Sequence, residues 1–259
     1  MEKKKGISGS TLKMIAIVTM LIDHIGAAVL ARLLMVNGLG ELDQTNTDAI
    51  MQWLSANGAL YGTYTVMRMI GRVAFPIFCF LLVEGFLHTH DVKKYALRLG
   101  LFALISEIPF DLAFSSKILE FNYQNVFFTL FIGLLTMIAY RAVEEKEEWN
   151  QALKVILYIL IVAAGMALAY FLKTDYAEKG VFCIMVLYIF RKKKMWQIIA
   201  GCASFIWETP ALFGFIPIAF YNGTRGWKMK YFFYIFYPAH LLILYLLCYF
   251  MRISGYSAV

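Results

Sequence analysis

The chain has 259 residues, of which 61% are hydrophobic, 17% aromatic and only 16% charged, and its formal net charge is +7. These values exclude a soluble globular domain, because one core of this size needs far less apolar surface. Most of the positive charge lies in short clusters beside apolar runs, which excludes a nucleic-acid-binding surface and indicates membrane topology. Residues 1–259 are therefore predicted to form a single all-α domain, a polytopic bundle of transmembrane helices.

The first apolar run extends from Lys13 to about Val36 and is long enough to cross a bilayer. The basic head at residues 1–5 predicts a retained span with its N-terminus in the cytosol. An acid and an imidazole, Asp23 and His24, lie together where hydrocarbon is expected. Because ionisable groups at membrane depth are costly unless they face a protein interior or a wet cavity, this pair is a candidate site.

About eight further spans are predicted from the apolar runs that follow. They cover about residues 60–87, 95–114, 125–142, 152–172 and 180–190, two short runs within 196–221 separated by an outward turn at Pro210, and about residues 231–251. Residues 37–58 are polar and acidic without Lys or Arg, so they are expected to form an outer loop. The basic clusters at residues 93–94 and 191–194, and Arg225, Lys228 and Lys230, then lie in the cytosol, for about nine spans in all.

Lys13 and His24 are predicted to share one face of the first helix. They stand 11 residues apart, which at about 100° per residue is three turns, or about 16 Å along the axis. One stripe therefore joins a cytosolic cation to an imidazole near the bilayer midplane. Histidine takes or relays a proton near neutral pH and is also a competent acyl acceptor. Asp23 either stabilises the charged ring or pairs with an arginine on another span.

Two arginines, Arg68 and Arg72, share a face of the second predicted span and need an anionic partner. They either form structural ion pairs or bind phosphate, for which the planar guanidinium fork is well suited. Glu84 lies on the same helix about 120° round from Arg72. These two residues share a cavity only if Pro76 kinks the axis.

Glu107 and Asp111 lie one turn apart on the third predicted span, with Pro109 between them. They are either the counter-charges of Arg68 and Arg72 or part of a proton or substrate path, and charge balance favours the counter-charges.

Glu208 is expected near the outer surface, in contact with water. His240 follows Pro238 about halfway along the last span. It is either a residue that hydrogen-bonds two helices together or a second proton carrier beside His24. His88 and His90 are expected to be hydrated at the membrane interface.

Several longer motifs follow one another over nearly the whole chain. They are Thr11–Ala16 with Asp23–Gly26, Gly71–Phe78, Ser106–Asp111, Asn125–Leu130, and Tyr221–Gly223 through Phe233–Leu241. Together, in this order, they resemble the TraX family. Proteins of that family are known for N-terminal acetylation of conjugative pilin, and they look like relatives of the acyltransferase-3 group of membrane acyltransferases.

The resemblance implies an acetyl-CoA-dependent acyltransferase. The wider group carries an Arg, ten residues and then an essential His on its first span, and this chain has Lys13 and His24 at those positions. Lys keeps the positive charge but lacks the bidentate fork. The implied catalytic residues are His24, Asp23 and His240, the implied donor-binding residues are Lys13, Arg68 and Arg72, and the implied supporting residues are Glu84, Glu107, Asp111 and Asn125.

We therefore expect a multi-pass protein of the cytoplasmic (inner) membrane that moves an acyl group from cytosolic acetyl-CoA to an acceptor. The expected acceptor is a pilin-like protein or an envelope glycan or lipid, and no nucleic acid is expected as a partner. No metal is expected either, since the four cysteines are scattered singly. The alternatives are a proton-coupled transporter, because carriers also contain intramembrane charges and proline-broken spans, and a non-catalytic scaffold. The sequence contains no internal repeat, which argues against the transporter.

Overall fold

The computed structural model describes residues 5–227 and 230–256, and its regular structure is helical. Within these ranges the only strand-like pairings are two isolated bridges, Ile7 with Tyr221 and Gln124 with Thr174. The α helices are α1 Gly9–Ile25, α2 Ala31–Val36, α3 Thr47–Gly71, α4 Ala74–His88, α5 Val92–Ser115, α6 Val126–Glu144, α7 Gln151–Phe171, α8 Ala177–Ile189, α9 Lys194–Ser204, α10 Phe215–Ala219 and α11 Lys230–Phe250. A π-helical segment, Gly26–Leu30, joins α1 to α2, and 3₁₀ helices cover Leu39–Glu41 and Thr209–Gly214. The predicted all-α class is confirmed.

Five helical stretches in the described ranges are long and apolar enough to cross a membrane. They are Gly9–Val36, Thr47–His88, Val126–Glu144, Gln151–Phe171 and Phe232–Phe250. α8, α9 and α10 have 13, 11 and 5 residues, fewer than the roughly 20 needed to cross about 30 Å of hydrocarbon. The expected nine spans are therefore not confirmed, and the cytosolic N-terminus, whose residues 1–4 lie outside the described part, stays a prediction.

The expected outer loop at residues 37–58 is wrong in its second half, because α3 already begins at Thr47. Asn46 caps this helix, and its side chain accepts a hydrogen bond from the Ala49 N–H at 3.1 Å. Asn37, just after α2, donates to the Asn57 side-chain oxygen at 2.8 Å, so the first turns of α3 extend past the end of α2. Most side chains in the first turns of α3 are exposed and need not be apolar, which is why composition alone suggested a loop.

α3 and α4 are separated by a break at Arg72 and Val73. Pro76, in the first turn of α4, has no N–H to donate to the Arg72 carbonyl, so the helical hydrogen-bond pattern cannot continue across this point. Beyond the break, α4 packs against α1, α8 and α6. The helix is thus interrupted just before Pro76, between Gly71 and Ala74.

Residues 6–10 dock against the loop that precedes α11. The Ile7 N–H donates to the Phe220 carbonyl at 2.8 Å, and the N–H groups of Gly9 and Ser10 donate to the carbonyls of residues 224 and 225 at 2.8 and 3.0 Å. Backbone N–H groups that a helix start leaves without partners are satisfied in this way. The docking brings the beginning of α1 next to Arg225.

Arg32 in α2 is completely buried, with 0% of its surface exposed. Its guanidinium donates to the carbonyls of Tyr256 at 2.8 Å, Ala28 at 2.9 Å and Ala113 at 2.5 Å, and to the Ser116 hydroxyl at 2.9 Å. These partners belong to the π-helical segment, the end of α5 and the chain after α11. One side chain therefore ties three parts of the fold together.

Candidate functional site

Two cavities lie end to end along α1 and α4. The first, which we call the basic cavity, has a volume of about 660 Å³ and is lined by Lys13, Arg98 and Arg225 among others. The second, the histidine cavity, has about 110 Å³ and is lined by His24 and charged residues of α1, α3 and the loop before α8. Met20 and Phe78 line both cavities, so these two side chains lie at the junction.

One face of α1 runs along both cavities. Lys13, Ile17 and Met20 line the basic cavity, and Met20 and His24 line the histidine cavity. The spacing of these residues, four, three and four positions, keeps them on one side of a helix. The structure therefore places Lys13 and His24 on a continuous stripe, as their separation predicts, but at different cavities.

His24 and His240 are hydrogen-bonded to each other across α1 and α11. His24 Nδ1 lies 2.7 Å from His240 Nε2, and the planes of the two rings differ by only 5°. His240 Nδ1 lies 2.8 Å from the Phe236 carbonyl, which accepts only, so this nitrogen carries a hydrogen. With both rings neutral, His240 Nε2 is then the acceptor and His24 Nδ1 the donor. His24 Nε2 consequently keeps its lone pair, and it has no partner among the described residues.

The ring of His24 is held in place by aromatic neighbours. Phe114 on α5 and Tyr237 on α11 contact it edge to face, with ring centroids 5.4 and 6.0 Å away. The π-helical segment Gly26–Leu30 begins two residues later. Such a bulge changes the direction in which the preceding side chains point and is frequent at functional sites. The imidazole is therefore fixed by packing as well as by His240.

Asp23 pairs with an arginine on another helix, one of the two alternatives that the sequence leaves open. Arg68 Nη1 lies 2.7 Å from Asp23 Oδ2. Gly71, one turn further along α3, has no side chain, and a Cβ built there would overlap the Asp23 side chain. The close approach of α1 and α3 at the ion pair therefore depends on this glycine.

Replacing Gly71 with Ala is expected to displace Asp23 and break its contact with Arg68. Overpacking of this kind costs about 1–3 kcal/mol, and the displaced carboxylate adjoins His24. We expect lower thermal stability, measured by unfolding in detergent, together with a disturbed histidine cavity.

Gly62→Ala in the same helix is the matched control, since no atom lies within 4 Å of a Cβ there. This control should be as stable as the wild type or slightly more stable. Equal stability of Gly71→Ala and Gly62→Ala would contradict the close-packing interpretation.

Arg72 pairs with Glu208, so the expectation that Glu208 is solvated is wrong. Arg72 Nε lies 3.0 Å from Glu208 Oε1, and only 16% of the Glu208 side chain is exposed. The Arg72 guanidinium also donates to the Tyr176 hydroxyl at 3.4 Å. The turn at Pro210 folds Glu208 back towards the break after α3, a contact that no local sequence pattern indicates.

Glu107 and Asp111 are not the counter-charges of the two arginines, so that prediction is wrong. Glu107 accepts hydrogen bonds from the side chain of Asn125 and from its backbone N–H, the latter at 3.2 Å. Asp111 accepts from the Glu120 N–H at 2.8 Å. These carboxylates accept hydrogen bonds from backbone groups at the start of α6 and in the loop before it. Arg68 and Arg72 pair with Asp23 and Glu208 instead.

The basic cavity contains cations that the sequence did not group together. Lys13 lies over the Phe233 ring, 5.3 Å from its centroid, and Arg98 Nε is buried without a hydrogen-bond partner among the described residues. Glu84 lines this cavity with Lys13 and not the one that contains Arg72. The predicted donor-binding set of Lys13, Arg68 and Arg72 is thus divided between the two cavities.

His88 and His90 are both exposed, unlike His24, and they line the basic cavity. His88 is 72% exposed at its side chain, as expected. Lys228 lies outside the described residues, as does the side chain of Lys230.

The loop after α7 contributes a further carboxylate to the histidine cavity, Asp175. The Tyr123 hydroxyl donates to its Oδ1 at 2.6 Å, and the Tyr176 N–H is a second donor. Tyr176 itself stacks on Phe75 with ring centroids 3.7 Å apart. Sequence reasoning missed Tyr123, Asp175 and Tyr176, because they lie in the short loops before α6 and α8 and meet the cavity only through the fold.

Comparisons with known proteins agree with the motifs. The family model described as "TraX protein" matches residues 8–248. The chain is similar to the "Probable fimbrial assembly protein FimC, serogroup H1" of Dichelobacter nodosus, with 26% identity over 269 residues that cover 94% of this chain and 97% of that protein. No solved structure matches the chain.

Proposed function

The chain belongs to the TraX family, and we propose that it is a membrane acyltransferase that moves an acetyl group from acetyl-CoA to an acceptor. The observation that carries the proposal is the meeting of a large basic cavity and a smaller charged cavity beside His24, whose Nε2 has a free lone pair. Two substrates of different character can enter from opposite ends and meet at one base. That arrangement suits group transfer.

The basic cavity suits the donor. Its described lining has three cations, Lys13, Arg98 and Arg225, and one carboxylate, Glu84, so it attracts a polyanion. The distance along α1 from Lys13 to His24 is about 16 Å, which leaves room for a long, narrow arm between the phosphates and the reacting carbonyl. Arg68 and Arg72 have carboxylate partners instead, and we assign them to the acceptor side.

The proposed reaction needs one proton transfer and one bond exchange. The acceptor nucleophile attacks the thioester carbonyl, its bond to carbon forms, and the carbon–sulfur bond breaks. His24 Nε2 takes the proton of the nucleophile and returns a proton to the leaving sulfur, which departs as the thiol of CoA. His240 and the Phe236 carbonyl hold His24 in the tautomer that this requires.

Topology and acceptor follow from the same proposal. CoA is a cytosolic anion, so the basic cavity and the start of α1 face the cytosol, and the protein lies in the cytoplasmic membrane. The Dichelobacter nodosus relative is named a fimbrial assembly protein, and the acetylation associated with the TraX family is that of a pilin. Both support a subunit of a surface fibre as the acceptor, with an envelope glycan or lipid as the other possibility.

Removing a cation from the basic cavity should weaken donor binding. In Arg98→Met we expect the Kd for CoA, measured by calorimetry in detergent, to rise on the order of tenfold, because a charge-assisted hydrogen bond contributes about 1.5–3 kcal/mol. The wild-type Kd should also rise with salt concentration.

Lys94→Met is the matched control for Arg98→Met. Lys94 lies one turn earlier on α5, 74% of its side chain is exposed, and its loss should leave the Kd for CoA unchanged. An unchanged Kd in Arg98→Met, or a larger loss of affinity in Arg72→Met, would contradict the placement of the donor.

A proton-coupled transporter is the second candidate, because two cavities in series beside a histidine pair also describe a pathway across a membrane. Reconstituted vesicles distinguish the two. Release of the CoA thiol from acetyl-CoA, with transfer of labelled acetyl to an acceptor, supports the enzyme. Movement of an unmodified solute without any dependence on CoA supports the transporter.

A further inference from the structure

The loop between α7 and α8 is built to hold one conformation. The Gln124 N–H donates to the Lys173 carbonyl at 3.0 Å, and the Asp175 N–H donates to the Gln124 carbonyl at 2.9 Å. The Thr129 hydroxyl donates to the Asp175 carbonyl. Tyr176 has φ of 63°, in a region that residues with a side chain rarely adopt. The surrounding contacts hold this backbone in place and fix Asp175 at the wall of the histidine cavity.

Asp175 differs from the other carboxylates around the histidine cavity. Asp23 and Glu208 each pair with an arginine. None of the ion pairs in the described ranges includes Asp175, whose partners are the neutral donors Tyr123 and the Tyr176 backbone. Asp23 and Asp175 line the cavity together with Arg68 and Arg72, and Asp175 is the carboxyl group there that has no salt bridge among the described residues. A cavity of this kind favours a ligand that donates hydrogen bonds.

We propose that Asp175 is the acceptor-positioning residue of the transfer reaction, binding a second N–H or O–H of the acceptor next to the attacking atom. This inference rests on the proposed acyltransferase function. The partner chemistry is a primary amine, which has a second N–H on the nucleophile, or a vicinal diol, which has a neighbouring O–H. Holding that second hydrogen turns the lone pair of the nucleophile towards the carbonyl, while the transferred proton remains available to His24.

The two hydrogens have separate destinations in this arrangement. A neutral amine gives one hydrogen to His24 Nε2 as the carbon–nitrogen bond forms, and its second hydrogen stays bonded to nitrogen and directed at the Asp175 carboxylate. In a diol, the reacting oxygen loses its hydrogen to His24 and the neighbouring hydroxyl keeps its own. Asp175 gains no proton in the reaction, and its contribution is orientation and affinity.

The test measures acetyl transfer to small probe acceptors by the full chain in proteoliposomes. Methylamine, ethylene glycol and ethanol are compared, ethanol being the probe without a second hydrogen-bond donor. We expect the wild type to use methylamine or ethylene glycol better than ethanol. In Asp175→Asn the KM for the preferred probe should rise on the order of tenfold, as expected when a charged hydrogen-bond partner is lost. The KM for ethanol should not change.

Controls separate positioning from structure. Asp175→Glu should recover part of the affinity for the preferred probe, and the exposed Asp48→Asn should leave every KM unchanged. The Kd for CoA and the melting temperature should be the same in Asp175→Asn as in the wild type.

Three results would overturn the assignment. The first is an unchanged KM for the preferred probe in Asp175→Asn. The second is a parallel loss of CoA binding and thermal stability, which would make Asp175 structural. The third is transfer by the wild type to ethanol as readily as to the other probes, or to none of them while acetyl-CoA is still hydrolysed. A wild type that never releases CoA from acetyl-CoA would instead refute the proposed function itself, and the assignment with it.

Discussion

His24→Ala is expected to abolish acetyl transfer while the protein still inserts into the membrane and binds CoA. A positioned general base contributes about 10²- to 10⁴-fold to a rate, and His24 is the only imidazole among the described residues that line the histidine cavity. The measurement is release of the CoA thiol from acetyl-CoA in proteoliposomes, with the amount of inserted protein held equal. Asp48→Asn, which changes an exposed side chain that lines neither cavity, should keep full activity.

His240→Gln tests whether His240 only positions His24 or also carries the proton. Glutamine keeps hydrogen-bonding ability but does not titrate near neutral pH. Because the flexible amide replaces the stacked ring that now fixes His24, we expect a weaker contact that costs about 1–3 kcal/mol, which is a loss of about tenfold to a hundredfold in turnover. A loss as deep as that of His24→Ala would mean that His240 carries the proton itself. An unchanged turnover and pH profile would make the residue purely structural.

Arg32→Met is expected to destabilise the fold more than any substitution at the surface. Methionine fills part of the same space but leaves the carbonyls of Ala113 and Tyr256 buried without the donors that now reach them at 2.5 and 2.8 Å. We expect a loss of about 2–4 kcal/mol in the free energy of unfolding, equivalent to a melting temperature about 5–15 °C lower. Thermal unfolding in detergent, followed by tryptophan fluorescence, measures the change.

Arg252→Met is the control for Arg32→Met, because it removes the same group from an exposed position near the same end of the fold. Its melting temperature should lie within a few degrees of the wild type. A melting temperature of Arg32→Met equal to that of the wild type would contradict this prediction. The contacts of the guanidinium with α5 and with the chain after α11 would then contribute little to stability.

Much of the histidine cavity could be predicted because its signals are local. An acid and an imidazole in an apolar run are visible in the sequence, and helical spacing alone aligned Lys13 with His24. The pairing of Asp23 with an arginine was one of the two alternatives that the sequence left open, and the structure selects it. Proximity of His24 and His240 was implied by the family resemblance, and the structure gives it as a direct hydrogen bond.

Other parts of the site could not be predicted, for reasons that are physical. Arg32 binds backbone carbonyls, and these have no signature in the sequence. Asp175 reaches the histidine cavity, and Glu208 reaches Arg72, through turns whose direction depends on distant contacts. Charge balance alone assigned Glu107 and Asp111 to the arginines, whereas the fold gives those acids backbone partners at the start of α6 and before it. The first turns of α3 were predicted as a loop because their residues are polar, although an exposed helix can carry polar residues.

The separation of the two histidines in the chain, 216 residues, has a consequence for biosynthesis. At about 5–20 residues per second, translation needs about 10–45 s between His24 and His240. Asp23, the more costly group in a bilayer, finds Arg68 only 45 residues later, so its charge is paired early. His24 gains its partner only when α11 has been synthesised, and Arg32 gains the Tyr256 carbonyl only when the residues after α11 have been added. A nascent chain therefore contains the Asp23–Arg68 ion pair long before the two histidines can meet, and the proposed transfer site is complete only when nearly the whole protein has been synthesised.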